Sequence, residues 1–147
     1  MTGTRTSRTA PPKLNRADAL QLWHGVMLDG VTSDAPDLSA RQIVILTSVY
    51  LHDGPHTVRS LAKSLGVTKA VVTRALDTLQ NYGYLQRADD PRDGRSVVVH
   101  RTPKGSQYLT RLGDTISQTL KLVQVKGEKP PAPGVTLEPL RAGATVA

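Results

Sequence analysis

The stretch from Val58 to Gln80, VRSLAKSLGVTKAVVTRALDTLQ, constrains this chain more than any other. Leu61, Ala62 and Leu65 give its first part an apolar stripe at helical spacing. Gly66 follows, where a helix end favours a left-handed residue with no Cβ to clash. Thr68 then stands where a hydroxyl can accept a backbone N–H at the start of a second helix. Val72, Ala75, Leu76 and Leu79 form the apolar stripe of that helix, and Lys69, Thr73, Asp77 and Gln80 line its opposite face. Ala62 is small where the two helices would cross, Gly66 bends, and Val67 and Val72 fill the wedge between them. These are the steric requirements of a helix-turn-helix, whose second helix enters the DNA major groove. The plainer reading of the same residues is a helical hairpin whose polar face is only solvated.

The charge balance favours the first reading. The 147 residues carry a net charge of +7, which suits a polyanionic partner such as nucleic acid. Nine cations stand against four carboxylates between Val58 and Gly105, so a net +5 is expected on the reading surface. Arg5, Arg8, Lys13 and Arg16 add charge near the N-terminus. Cysteine is absent, which removes disulfides, thiolate metal sites and thiol redox chemistry together, and fits a reducing cytoplasm. Phenylalanine is absent too, so the core must be aliphatic, and stacking platforms for single strands are scarce. No apolar run approaches the roughly 20 residues of a membrane span, and the N-terminus lacks the apolar segment of a signal peptide.

Around the motif the chain reads as three parts. Residues 1–12 are rich in Thr, Arg and Pro and are expected to be a disordered basic tail, with a minor-groove arm as the sharper alternative. Residues 13–125 form the domain, and residues 126–147 are expected to be a disordered Pro-rich tail. Within the domain a first helix is expected from Leu14 to Leu28, with Leu20, Trp23 and Met27 on one stripe and Gly30 past its end. Asp29 to Asp37 reads as a linker. Ser39 caps a second helix running to about His52, with Ile43, Leu46, Thr47 and Tyr50 facing one way. Thr57 caps the first motif helix, and its neighbours can form a very short strand. Gly83 ends the second motif helix. Leu85–Ala88 and Ser96–Arg101 then read as strands joined by the turn-forming run from Asp89 to Arg95. A hairpin placed directly after a helix-turn-helix is a wing. Pro103 opens a last long helix, with Leu109, Leu112, Ile116, Leu120 and Val123 on a stripe suited to a helix seam within the chain or between subunits. The fold class is therefore mainly α (α+β), a winged helix-turn-helix domain with a two-stranded wing and flanking N- and C-terminal helices.

LSARQIVIL, LAKSLGVTKAVVTRALDTLQNYGYLQR and DPRDGRSVVVHRTPKGSQYL, in that order between Leu38 and Leu112, resemble the MarR family of bacterial transcription regulators. Asp90 to Arg95 matches the family's wing signature of alternating Asp and Arg. The resemblance implies a cytoplasmic homodimeric regulator, typically a repressor. It would bind a pseudo-palindromic operator in double-stranded DNA with two recognition helices and two wings. It also implies a small anionic or phenolic effector between the DNA lobe and the dimer lobe. The family's second long C-terminal helix has no counterpart here, because the sequence turns Pro-rich after about Val125. The dimer is then built from the first and last helices alone, or differently. A regulator with no effector, or one controlled by a partner, becomes an alternative.

Lys69 and Thr73 are the expected base readers, since lysine donates to guanine O6 or N7 and threonine can touch a thymine methyl. Thr68 is a cap first and a phosphate contact second. Arg74 is expected on DNA, with an i,i+3 pair to Asp77 as the alternative. Arg92 is the wing-tip candidate for the minor groove. Arg95 joins it among the DNA-binding residues, although Asp90, Asp93 and Arg95 are also expected to fix the wing by ion pairs. Thr57 and Arg59, with Ser39, Arg41 and Lys63, are expected phosphate anchors, Thr57 through a helix N-terminus. No enzyme, cofactor or metal site is expected. His52 and His56 share a spacing of four, but Asp53-Gly54-Pro55 breaks any helix between them. The competing functions are a winged-helix module that binds another transcription component and a non-specific nucleoid protein driven by its basic tails.

Overall fold

Capping chemistry marks most of the element boundaries. The computed structural model describes residues 14–126. The expected tails lie outside them, apart from Lys126 at the end of the last helix. The order is α1 (Arg16–Thr32), α2 (Ala40–Leu51), β1 (His56–Thr57), α3 (Val58–Leu65), α4 (Lys69–Asn81), β2 (Leu85–Asp90), β3 (Asp93–Arg101) and α5 (Pro103–Lys126).

Asn15 caps α1, its side chain accepting the Asp18 N–H at 2.9 Å. The helix does not stop at Leu28 as expected but runs through Gly30 to Thr32. Glycine costs about 1 kcal/mol inside a helix, and packing along α5 offsets that here. Thr115 of α5 donates to the Asp29 carboxylate at 3.1 Å. Gly25 permits the close approach, since a Cβ there would lie 2.7 Å from Thr119 Cγ2. In α2, Ser39 and Gln42 form a reciprocal capping box. Its buried residues are Ile45, Leu46 and Val49. Ile43 and Tyr50 are only partly covered, and Thr47 turns its hydroxyl back to the Ile43 carbonyl at 2.8 Å. The expected stripe is thus rotated, because α4 covers one side of α2 and β3 another.

Thr57 caps α3 through a second reciprocal box, with Ser60. Gly66 takes the left-handed conformation at φ 65°. The Val67 and Gly66 N–H groups then close on the Ala62 and Lys63 carbonyls at 3.1 and 3.3 Å. Gly83, at φ 76°, ends α4 in the same way, with Tyr84 and Gly83 N–H groups on Leu79 and Gln80 at 2.9 Å each. Both ends are Schellman motifs, which satisfy carbonyls the helix leaves open.

The sheet has the order β1-β3-β2, with both pairings antiparallel. The two-residue strand expected beside Thr57 is present and pairs His56 with Val99. The wing strands are longer than expected, and only Pro91 and Arg92 form the turn. The pairing jumps from Asp89↔Val97 to Asp90↔Asp93, so Gly94, Arg95 and Ser96 bulge from β3. One core unites Leu38, Ile45, Leu46, Val49, Leu61, Val72, Leu76, Leu79, Tyr84, Leu85 and Val99. It is aliphatic with one tyrosine, as the absence of phenylalanine requires.

The first turns of α5 pack on that core through Tyr108 and Leu109, and α1 and α5 pack on each other. Val123 of α5 is buried, but the outer face stays apolar and open. Trp23 is 62% exposed, Leu20 52%, Val31 65% and Ile116 41%.

Candidate nucleic-acid interface

The reading helix is sealed on one side and open on the other. Val72, Leu76 and Leu79 of α4 are completely buried, which fixes the helix's rotation about its own axis. Lys69, Arg74, Asp77 and Gln80 are exposed, and Thr73 is half-buried. Lys69 is the first residue of α4, so it stands at the end that in this motif points at base edges.

The threonines expected to touch phosphates have structural duties first. Thr57 Oγ1 accepts the Ser60 N–H at 3.0 Å, while the Thr57 N–H donates to Ser60 Oγ at 2.9 Å. Thr68 Oγ1 accepts the Val71 N–H at 3.4 Å. Arg59 is exposed in the first turn of α3. Arg74 does not pair with Asp77. It borders a shallow groove of about 240 Å³ between the start of α2 and the middle of α4, together with Ser39 and Arg41. Two guanidinium groups on one groove suit a phosphate strand.

Asp77 is instead taken by a residue that the sequence reading passed over. Arg87 of β2 donates from Nη2 to Asp77 Oδ1 at 2.6 Å and from Nε to Gln80 Oε1 at 3.0 Å. This is the sole ion pair among the described residues. It ties the root of the wing to the last turns of α4. Strand alternation carried the signal, because Arg87 shares the face of Leu85, which packs on the core.

At the far end of the wing the expected ion pairs are replaced by backbone bonds. Asp90 Oδ1 accepts the Arg92 N–H at 2.9 Å, and Asp93 Oδ1 accepts the Arg95 N–H at 3.1 Å. These Asx turns hold the tip rigid and leave the Arg92 and Arg95 side chains exposed. Two cations counted toward the surface lie elsewhere. Arg101 caps the end of α2, donating to the Val49 and His52 carbonyls at 2.8 and 2.9 Å, and Lys104 lies over the Tyr84 ring. His56 Nε2 lies 3.1 Å from the His52 carbonyl oxygen. Among the described residues no group of three or more His, Cys, Asp or Glu could hold a metal ion. No helix there is long and apolar enough to cross a membrane.

A cleft of about 730 Å³ separates the C-terminal end of α1 and the following linker from α5, with Tyr84, Lys104, Tyr108 and Arg111 on its wall. Tyr84 and Tyr108 stack with centroids 4.7 Å apart. Burial pushes both phenols above their ordinary range. The next cause is Tyr82 for Tyr84 and Tyr84 for Tyr108, and both raise the value further. Both therefore keep their protons at neutral pH.

The family model described as "MarR family" matches residues 38–97. The HTH-type regulator YkoM of Bacillus subtilis is 34% identical over 71 residues, covering 48% of this chain and 46% of that protein. The multiple antibiotic resistance protein MarR of Salmonella typhimurium is 37% identical over 88 residues, covering 57% and 60%. The chain thus spans about half the length of these relatives. Among solved structures, a MepR variant of S. aureus superposes with TM-score 0.64 at 18% identity, covering 76% of this chain and 79% of that one. The S. aureus MepR–DNA complex superposes with TM-score 0.59 at 19% identity, covering 76% and 86%. Residues 38–97 are thus similar to the MarR family, and the described residues share the winged helix-turn-helix fold of these solved structures.

Proposed function

We propose that the chain is a sequence-specific transcription regulator that binds double-stranded DNA in the bacterial cytoplasm. In this reading it is a homodimeric repressor acting on a pseudo-palindromic operator. The observation that carries it is α4, sealed on its apolar face and open along Lys69, Thr73 and Arg74. Lys69 and Thr73 read base edges, and Arg92 enters the minor groove from the wing tip. Arg59, Arg74 and Arg95 hold phosphates, and Thr57 and Thr68 present helix N-termini to them. The open apolar face on α1 and α5 supplies the dimer contact. The cleft beside α5 is of the size that holds small ligands, and it is lined by Lys104 and Arg111 together with Asp29, Asp34 and Asp114.

The test is selection of bound duplexes from a random DNA pool at near-physiological salt. Two inverted half-sites about one helical turn apart support the whole reading. A single half-site supports DNA reading without the dimer. No enrichment favours the other use of the open α1 and α5 face, a docking module for a different transcription component.

A further inference from the structure

We infer that Tyr50 sets the spacing between the two half-sites by fixing the angle at which α5 leaves the DNA-binding head. This rests on the dimeric reading proposed above. Tyr50 lies at the end of α2, with its hydroxyl in the joint between three elements. The oxygen accepts the Thr102 N–H at 2.8 Å. Its single proton faces the Thr102 and Tyr84 carbonyl oxygens at 2.8 and 3.0 Å. Thr102 continues the chain of bonds, donating from Oγ1 to the Gly83 carbonyl at 2.6 Å and accepting the Gly105 N–H at 3.0 Å. One side chain thus pins the end of α2, the corner where α4 turns into β2, and the first turn of α5.

The joint is tight. A Cβ on Gly105 would overlap both the Tyr84 carbonyl oxygen and the Tyr50 hydroxyl, so α5 is seated directly against them. Arg101 lies with its guanidinium 5.8 Å from the Tyr50 ring centroid and holds the α2 carbonyls from the other side.

Lever length makes a small angle matter. The 24 residues of α5 extend about 36 Å at about 1.5 Å per residue. A tilt of about 5° at the joint therefore moves the far end by about 3 Å, close to the ~3.4 Å rise of one base pair. In a dimer joined through α1 and α5 both heads move, so half that tilt at each joint already changes the half-site separation by about one base-pair step. Tyr50 bonds at the corner after the C-terminal end of α4, while Lys69, Thr73 and Arg74 lie in its first half, so it acts on spacing, not on the sequence of a half-site.

The experiment measures binding to duplexes whose two selected half-sites are separated by the preferred spacing and by one base pair more or fewer. Wild type and Tyr50→Phe are compared, with single half-site binding and thermal unfolding measured alongside. The expected result is that Tyr50→Phe keeps its half-site sequence and its single half-site affinity. Its preference for the native spacing over the neighbours falls by about fivefold, on the scale of one lost hydrogen bond. An unchanged spacing profile overturns the inference. If Tyr50→Phe does not fold, Thr102→Val, which removes the Gly83 bridge, is held to the same two outcomes. If wild type selects no paired half-sites, the dimeric reading itself fails and the inference falls with it.

Discussion

Replacing Arg87 with methionine keeps the length of the side chain and removes the charge that ties β2 to α4. The Arg87 and Asp77 side chains are 24% and 53% exposed. Solvent screens a pair this open to about 0.5–1 kcal/mol. The Arg87 Nε bond to Gln80 contributes about 0.5 kcal/mol more, while the backbone N–H of residue 87 keeps its own bond to Gln80. Arg87→Met is therefore expected to lose about 1–1.5 kcal/mol, a fall of about 4–6 °C in Tm for a domain of this size. The effect on DNA is larger than the lost contact suggests, because Asp77 lies on the same face as Lys69 and Thr73. An unmasked carboxylate at about 7 Å from a phosphate costs about 0.6 kcal/mol in water. Two neighbouring phosphates make that about 1 kcal/mol, or about fivefold weaker binding. Raising the salt should narrow the gap. Adding Asp77→Asn to Arg87→Met should restore affinity while leaving Tm low. Fluorescence anisotropy with a labelled duplex, paired with thermal melts, checks both. A double variant that binds no better than Arg87→Met refutes the masking argument.

Three further outcomes are expected. Lys69→Ala and Thr73→Ala should relax base preference at particular positions in a selection experiment. Arg92→Ala should instead weaken all duplexes alike and reduce the salt slope of log K by about 1. Gly105→Ala should destabilise the domain by about 3 kcal/mol in urea unfolding, since both atoms it would strike are fixed by hydrogen bonds. Trp23→Lys should leave monomer stability almost unchanged, because Trp23 is 62% exposed. It should shift the chain toward monomer at micromolar concentration in sedimentation velocity.

The motif was legible because its signals are local. Thr57, Gly66, Thr68 and Gly83 each act on backbone groups within five residues of themselves, so their roles follow from sequence alone. The apolar stripe of α4 was equally legible, since all four expected residues are buried. The readings that changed involve partners distant in the chain. α1 continues through Gly30 because α5, more than eighty residues later, packs along it. Asp77 pairs not with Arg74, the alternative the sequence offered, but with Arg87, ten residues on, because strand β2 lays that guanidinium across the end of α4. The wing carboxylates did act locally, but on backbone N–H groups that a count of charges does not see.

The sequence by itself therefore determined where the two helices of the motif start and stop, which face of α4 is sealed, and that Lys69, Thr73 and Arg92 are left free of structural duty. Tertiary structure alone decided that Arg87 masks Asp77, that Arg101 and Lys104 are withdrawn from the reading surface, and that Tyr50 joins three elements through one hydroxyl. The division has one physical cause. Caps and stripes are paid within a helical turn of the residue concerned, whereas a guanidinium or a phenol reaches groups that only chain folding brings within hydrogen-bond distance.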